Sequence, residues 1–196
     1  MRLLRALVVA LVLGVHASVV AAEGHLVLAG GGPTPAAVFE RTLTLSGGRR
    51  AIVVVLPQTF PNDTIADAAV AMWRALHAAE VIKVSRTDAA MARAALARAT
   101  LIWIPGGFPS LFMQTLAATP LAEIIRERFS SGVTIGGASA GAVAMSSTML
   151  ADDVTPLAAP ATIEGLGLWP EAIVSPHFTE RRRLPSLIRS FAITRT

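Results

Sequence analysis

One serine sits where a nucleophile would be built. Gly137-Ala138-Ser139-Ala140-Gly141 follows the apolar run Val133-Thr134-Ile135 and leads into a short helical stretch. G-x-S-x-G between a strand and a helix exposes a serine hydroxyl on a sharp turn, and small neighbours leave room for a strained backbone. In such a turn the N–H of Ala140 faces a developing oxyanion, aided by the N-terminus of the following helix. A serine hydroxyl also needs a base within hydrogen-bond reach, and imidazole suits that task near neutral pH. His177, just after Pro176 at the end of an apolar run, is the best-placed histidine; His25 opens a strand and His77 falls inside a helical stretch. Gly106-Gly107 closes another strand and offers a second N–H, because glycine lets a backbone approach a ligand closely. Arg181-Arg182-Arg183 begins the segment after the histidine. It reads either as a solvated charged face or as a carboxylate-binding cluster. No group of His and carboxylates has metal-ligand spacing, so neither a metal nor a cofactor is expected.

These residues need a scaffold, and the chain supplies short apolar runs alternating with amphipathic stretches. His25-Leu26-Val27-Leu28-Ala29 runs into Gly30-Gly31-Gly32, and Ala51 to Leu56 ends at Pro57. Val81 to Val84, Thr100 to Ile104, Val133 to Gly137 and Ala172 to Val174 complete six expected strands. The continuously apolar runs are of the kind found in parallel sheets covered on both faces. Asn62 or Asp63 is expected to cap a helix over Thr64 to Ala79, and Asp88 another reaching about Ala99. A further helix is expected over Leu121 to Phe129. The alternation implies an α/β fold: a mainly parallel sheet flanked by helices on both faces, with a nucleophile elbow at a strand–helix junction. Gly30–Gly32, Gly106–Gly107, Ser139 and His177 then all fall at C-terminal strand ends, the edge where open α/β sheets bind ligands.

Arg2 and Arg5 precede the apolar run Leu7 to Val15, and Val19-Val20-Ala21-Ala22 follows it. A basic start, a short apolar centre and a small-residue cleavage site describe a secretory signal peptide over residues 1–22. The expected product is exported, to the periplasm or the exterior, and keeps no stable membrane span after cleavage. Cleavage removes two arginines from a formal net charge of +4. The near-balanced remainder argues against a nucleic-acid footprint. Lys83 is the only lysine, so positive charge is almost all guanidinium, which grips carboxylates in a bidentate manner. The chain has no cysteine, which excludes disulfides and thiolate catalysis.

Taken together, the Gly137-Ala138-Ser139-Ala140-Gly141-Ala142 elbow, the Pro105-Gly106-Gly107 turn and Gly165-Leu166-Gly167-Leu168 leading to Pro176-His177-Phe178 resemble the cyanophycinase and dipeptidase E family of serine peptidases. That family has a fold like the class I glutamine amidotransferases. The resemblance implies Ser139 as nucleophile, His177 as base, and Gly107 with Ala140 as oxyanion donors. It also implies Arg181 and Arg183 as grips for an acidic substrate, a small aspartate-containing peptide cleaved through an acyl-enzyme. In dipeptidase E-like members the acid orienting the histidine lies between Ser and His, which makes Asp152 and Asp153 the charge-relay candidates. Cyanophycinase-like members use a Glu on a later strand, and this chain stops at Thr196 before one. Residues 23–196 are therefore expected to be a peptidase domain truncated at its C-terminus. Two features depart from the cyanophycinase pattern. The glutamine after the Gly-Gly turn is absent from Gly107-Phe108-Pro109-Ser110, and Ser186 replaces a third arginine. The alternative reading is a non-catalytic or truncated relative that only binds acidic peptides. A homodimer is left open.

Overall fold

The computed structural model describes residues 24–150 and 162–194. Its frame is a five-stranded parallel sheet of β1 (Leu26–Ala29), β2 (Ile52–Val55), β3 (Glu80–Lys83), β4 (Leu101–Ile104) and β5 (Thr134–Ala138), in the order β1-β5-β4-β2-β3. The helices are α1 (Ala36–Leu45), α2 (Thr64–Ala75), α3 (Ala89–Arg98), α4 (Pro109–Ala117), α5 (Leu121–Ser130), the single turn α6 (Ala140–Val143) and α7 (Leu184–Thr194). β6 (Thr148–Leu150) and β7 (Thr162–Glu164) form a separate antiparallel pair.

The apolar runs form central strands because both of their faces are covered. Val53, Val55, Leu101 and Trp103 point to one side, where Leu43 of α1 and Ala66, Val70 and Trp73 of α2 pack on them. Val54, Ile102, Ile104 and Ile135 point to the other, against Leu96 of α3, Phe112 and Leu116 of α4 and Ile125 of α5. This is the period-two alternation of a strand read from two directions. Trp73 and Trp103 meet edge-to-face at 5.1 Å, and Phe39 completes the cluster at 5.8 Å and 5.6 Å from them. A side chain on Gly136 would enter the Trp103 ring, since its β-carbon would lie 2.7 Å from Cε3. Gly136 is thus the notch that lets an indole lie on the sheet.

Several local expectations hold, and two do not. Asp88 caps α3, its carboxylate accepting from the N–H of Met91 at 2.9 Å. Asn62 Oδ1 accepts from Thr64 N–H at 3.1 Å, while the Asp63 carboxylate turns away to Lys83 and Arg86. α2 ends at Ala75 rather than Ala79. His77 adopts a left-handed φ of 61°, and the N–H of Ala78 reaches back to the Trp73 carbonyl at 3.3 Å, a helix-ending turn. The stretch Ala172 to Val174 joins no strand ladder among the described residues. Its Val174 N–H donates to the buried Ser146 Oγ at 3.2 Å, so the segment is tied to the stretch between α6 and β6 instead of the sheet. The expected leader at residues 1–22 lies outside the described residues. Among the described residues no helix is long and apolar enough to cross a membrane.

Candidate active site

The strand order creates the site. β5 lies between β1 and β4, so the loops leaving the C-terminal ends of all three strands meet. Gly30–Gly32 follows β1, Gly106-Gly107 follows β4, and Ser139 follows β5.

Ser139 occupies φ 49° and ψ −106°, a conformation sparsely used by non-glycine residues, at the junction between β5 and α6. Holding it costs on the order of 1–3 kcal/mol, and the surroundings over-determine it. Its N–H donates to the Ala29 carbonyl at 2.9 Å, extending the β1–β5 ladder into the turn. Both glycines of the motif have steric reasons. A β-carbon on Gly137 would lie 2.6 Å from the Gly141 carbonyl carbon, and one on Gly141 would lie 2.0 Å from the Ile104 oxygen. The elbow is therefore packed backbone to backbone against β4. α6 is only four residues long, so the helix-terminus aid expected for an oxyanion reduces to the local N–H groups of one turn.

His177 reaches the serine from the far side of β1. The Gly165-Leu166-Gly167-Leu168 segment guides it there. Leu166 N–H donates to the Ala144 carbonyl at 2.7 Å and Gly165 N–H to the Ser147 carbonyl at 2.8 Å, while the Leu166 and Leu168 side chains are buried. At the end of this path His177 N–H donates to the Gly30 carbonyl at 2.7 Å. Its Nε2 then stands 3.0 Å from Ser139 Oγ, a hydrogen bond between side chains 38 residues apart. His177 also has a left-handed φ of 50°. The ring lies flat over Gly31, where a β-carbon would be 2.3 Å from Cε1, 2.4 Å from Nε2 and 2.7 Å from Nδ1. Gly31 was legible as part of a strand-end glycine turn, but its role as the seat of the imidazole was not. Its signal is a glycine run ending the strand beside the elbow.

Gly106-Gly107 is held from the β2 side. Thr59 Oγ1 donates to the Gly106 carbonyl at 2.9 Å, and the Thr59 carbonyl accepts from Phe108 N–H at 2.7 Å. Gly107 has φ 145°, and a β-carbon there would lie 2.2 Å from the Thr59 oxygen. A β-carbon on Gly106 would be 3.7 Å from that of Ser139, so the turn passes directly beside the nucleophile. Gly107, Ser139, Ala140, Arg181 and Arg183 line one cleft of about 400 Å³. A larger groove of about 770 Å³ along β1 includes none of these residues. Arg181 to Arg183 lie in the turn before α7, not on a helix face: Arg181 N–H donates to the His177 carbonyl at 3.0 Å and Arg183 N–H to the Phe178 carbonyl at 3.0 Å. The bend that presents the imidazole thus also brings both arginines to the cleft. Ser186 is buried on α7. Asp152 and Asp153 lie outside the described residues. Among the described residues no group of three or more His and carboxylate side chains could hold a metal ion.

Comparison with known proteins places the chain in a family and a fold. The family model described as peptidase family S51 matches residues 26–194. A cyanophycinase from Geminocystis herdmanii is 31% identical over 166 residues, 79% of this chain and 61% of that protein. A cyanophycinase from Trichormus variabilis is 38% identical over 112 residues, 54% of this chain and 37% of the relative. The chain thus spans at most about three fifths of the length of these curated relatives. Among solved structures, a peptidase from an acI-B1 Actinobacterium superposes with a TM-score of 0.63 at 22% identity, covering 86% of this chain and 75% of that one. A protein from Listeria monocytogenes, provisionally named peptidase E, superposes with a TM-score of 0.55 at 18% identity, covering 89% and 88%. These two likenesses speak to the fold.

Proposed function

Because the chain belongs to peptidase family S51, we propose that it is a serine peptidase that hydrolyses small aspartate-containing peptides through an acyl-enzyme. One observation carries the reading: Ser139 Oγ lies 3.0 Å from His177 Nε2 on a strained elbow at the C-terminal edge of the sheet. In the proposed cycle His177 takes the Ser139 proton as Oγ attacks the scissile carbonyl carbon, and the N–H groups of Gly107 and Ala140 hold the resulting oxyanion. The C–N bond then breaks, with His177 returning its proton to the leaving amine. A water, deprotonated by His177, then attacks the acyl carbon; the bond from that carbon to Ser139 Oγ breaks, His177 returns the proton to Oγ, and the acid leaves. Arg181 and Arg183 would hold the substrate carboxylate, for which guanidinium is the suited donor. Asp152 and Asp153 are the proposed sources of a carboxylate for the other imidazole nitrogen. The basic and apolar start of the chain supports an exported enzyme.

The test is hydrolysis of a panel of α- and β-aspartyl dipeptides by the wild-type chain beside Ser139→Ala and His177→Ala. Each variant is expected to lose at least about 10³-fold in kcat, the loss typical of removing a nucleophile or its base. Wild-type turnover by Ser139→Ala would rule the mechanism out.

A further inference from the structure

We propose that Phe108, backed by Phe60, is a specificity-determining wall that selects peptides whose acidic residue is joined to an apolar neighbour; this substrate class rests on the peptidase reading above. Phe108 follows Gly107 directly and is 44% exposed, a large apolar side chain held out of the core beside the nucleophile. Its ring stacks on Phe60 with centroids 5.5 Å apart and planes 11° from parallel. Its N–H donates to the Thr59 carbonyl at 2.7 Å, and Thr59 Oγ1 donates to the Gly106 carbonyl at 2.9 Å. The loop after β2 therefore holds the Phe108 backbone through Thr59 and stacks on its ring through Phe60, which preorganises the ring at little further entropic cost.

The cleft presents two chemistries. Pro109, Val143 and Leu150 continue the apolar surface of Phe108, whereas Arg181 and Arg183 supply guanidinium groups. A peptide laid across Ser139 meets cations that suit its carboxylate and an aromatic wall that suits an aliphatic or aromatic neighbour. Aspartyl-phenylalanine and aspartyl-leucine are thus the favoured class, ahead of aspartyl-alanine, whose methyl group leaves the Phe108 ring uncovered.

The experiment compares aspartyl-phenylalanine, aspartyl-leucine, aspartyl-alanine and aspartyl-arginine in two ways. Hydrolysis is measured with the wild type and with Phe108→Ala, whose fold is checked by circular dichroism. Calorimetric Kd values are measured in the Ser139→Ala background, with and without Phe108→Ala. The two apolar dipeptides should exceed aspartyl-alanine by at least about tenfold in kcat/KM and in affinity, the discrimination that even small apolar differences give in such a pocket. Phe108→Ala should bring both ratios close to unity. Ratios unmoved by Phe108→Ala, a preference for aspartyl-arginine, or no binding of any dipeptide would overturn the wall. A tenfold difference in Kd without hydrolysis by the wild type would sustain the wall and overturn the peptidase reading instead.

Discussion

Gly31→Ala tests the seat of the imidazole with a single methyl group. The new β-carbon would fall 2.3 Å from Cε1 and 2.4 Å from Nε2 of His177, whereas ordinary contact begins near 3.4 Å. The ring must therefore retreat by roughly 1 Å, because the opposite party is backbone fixed to the end of β1. The Ser139–His177 bond is 3.0 Å long, and a retreat of that size takes it beyond hydrogen-bond reach. A misplacement of about 1 Å in a reacting constellation costs on the order of 10²-fold in rate. Gly31 also has φ 106°, so a side chain there adds backbone strain of about 1–2 kcal/mol. In a domain of this size that strain lowers Tm by only about 2–8 °C. The expected signature is a loss of about 10²-fold in kcat with a folded protein and nearly unchanged dipeptide affinity. An NMR titration of the His177 imidazole gives a readout independent of turnover: its ring resonances should move relative to wild type. Unchanged kcat together with unchanged His177 resonances would refute the claim that the Gly31 backbone positions the base.

Two further perturbations probe the frame. Gly141→Ala would place a β-carbon 2.0 Å from the Ile104 carbonyl oxygen, a clash between backbones that no side-chain rotation relieves. It should destabilise by at least about 1–3 kcal/mol in urea unfolding, and wild-type stability would show that the elbow does not press on β4. The Asp63 carboxyl is held below the usual carboxylate range chiefly by its hydrogen bond from Lys83 and then by that from Arg86. Its contribution to stability is therefore present above about pH 4 and is lost as pH falls through the lowered folded value. Asp63→Asn should cost under about 1 kcal/mol at pH 6, because the pair is partly exposed, and less at pH 3; an equal cost at both pH values would show that the ion pair is not its source. The Lys83 ammonium is held above its ordinary range by Asp63 and Asp67, so its share is present below about pH 10 and is lost on further alkalinisation.

Contiguous residues encode much of this molecule. Leu101 to Ile104 is apolar at every position because β4 is covered on both faces, and that is visible in any four-residue window. Asp88 announces the start of α3, and Gly137 to Gly141 announces a turn too tight for β-carbons, because both effects act over one helical turn or less. The end of α2 was not legible. Leu76 continues the helical spacing, yet His77 leaves the helix, and nothing local distinguishes those positions. Ala172 to Val174 looks like a strand for the same reason: an apolar triplet specifies burial, not the ladder it joins.

The pairing of Ser139 with His177 depends on distance in space, not in the chain. Residue types named a nucleophile, a base and an oxyanion turn, but 38 residues separate the serine from the histidine. It took the order β1-β5-β4 to put Gly31 and Gly106 on either side of Ser139. Sheet order follows from how covered faces and crossovers pack across the whole domain, and that information is spread over every strand and helix. The same holds for the two sides of the cleft. Arg181 and Phe108 are 73 positions apart in the chain and meet beside one hydroxyl because the loop leaving β4 and the His177 bend docked on the Gly30 carbonyl converge there. Local sterics wrote the turn, and long-range packing chose what it faces.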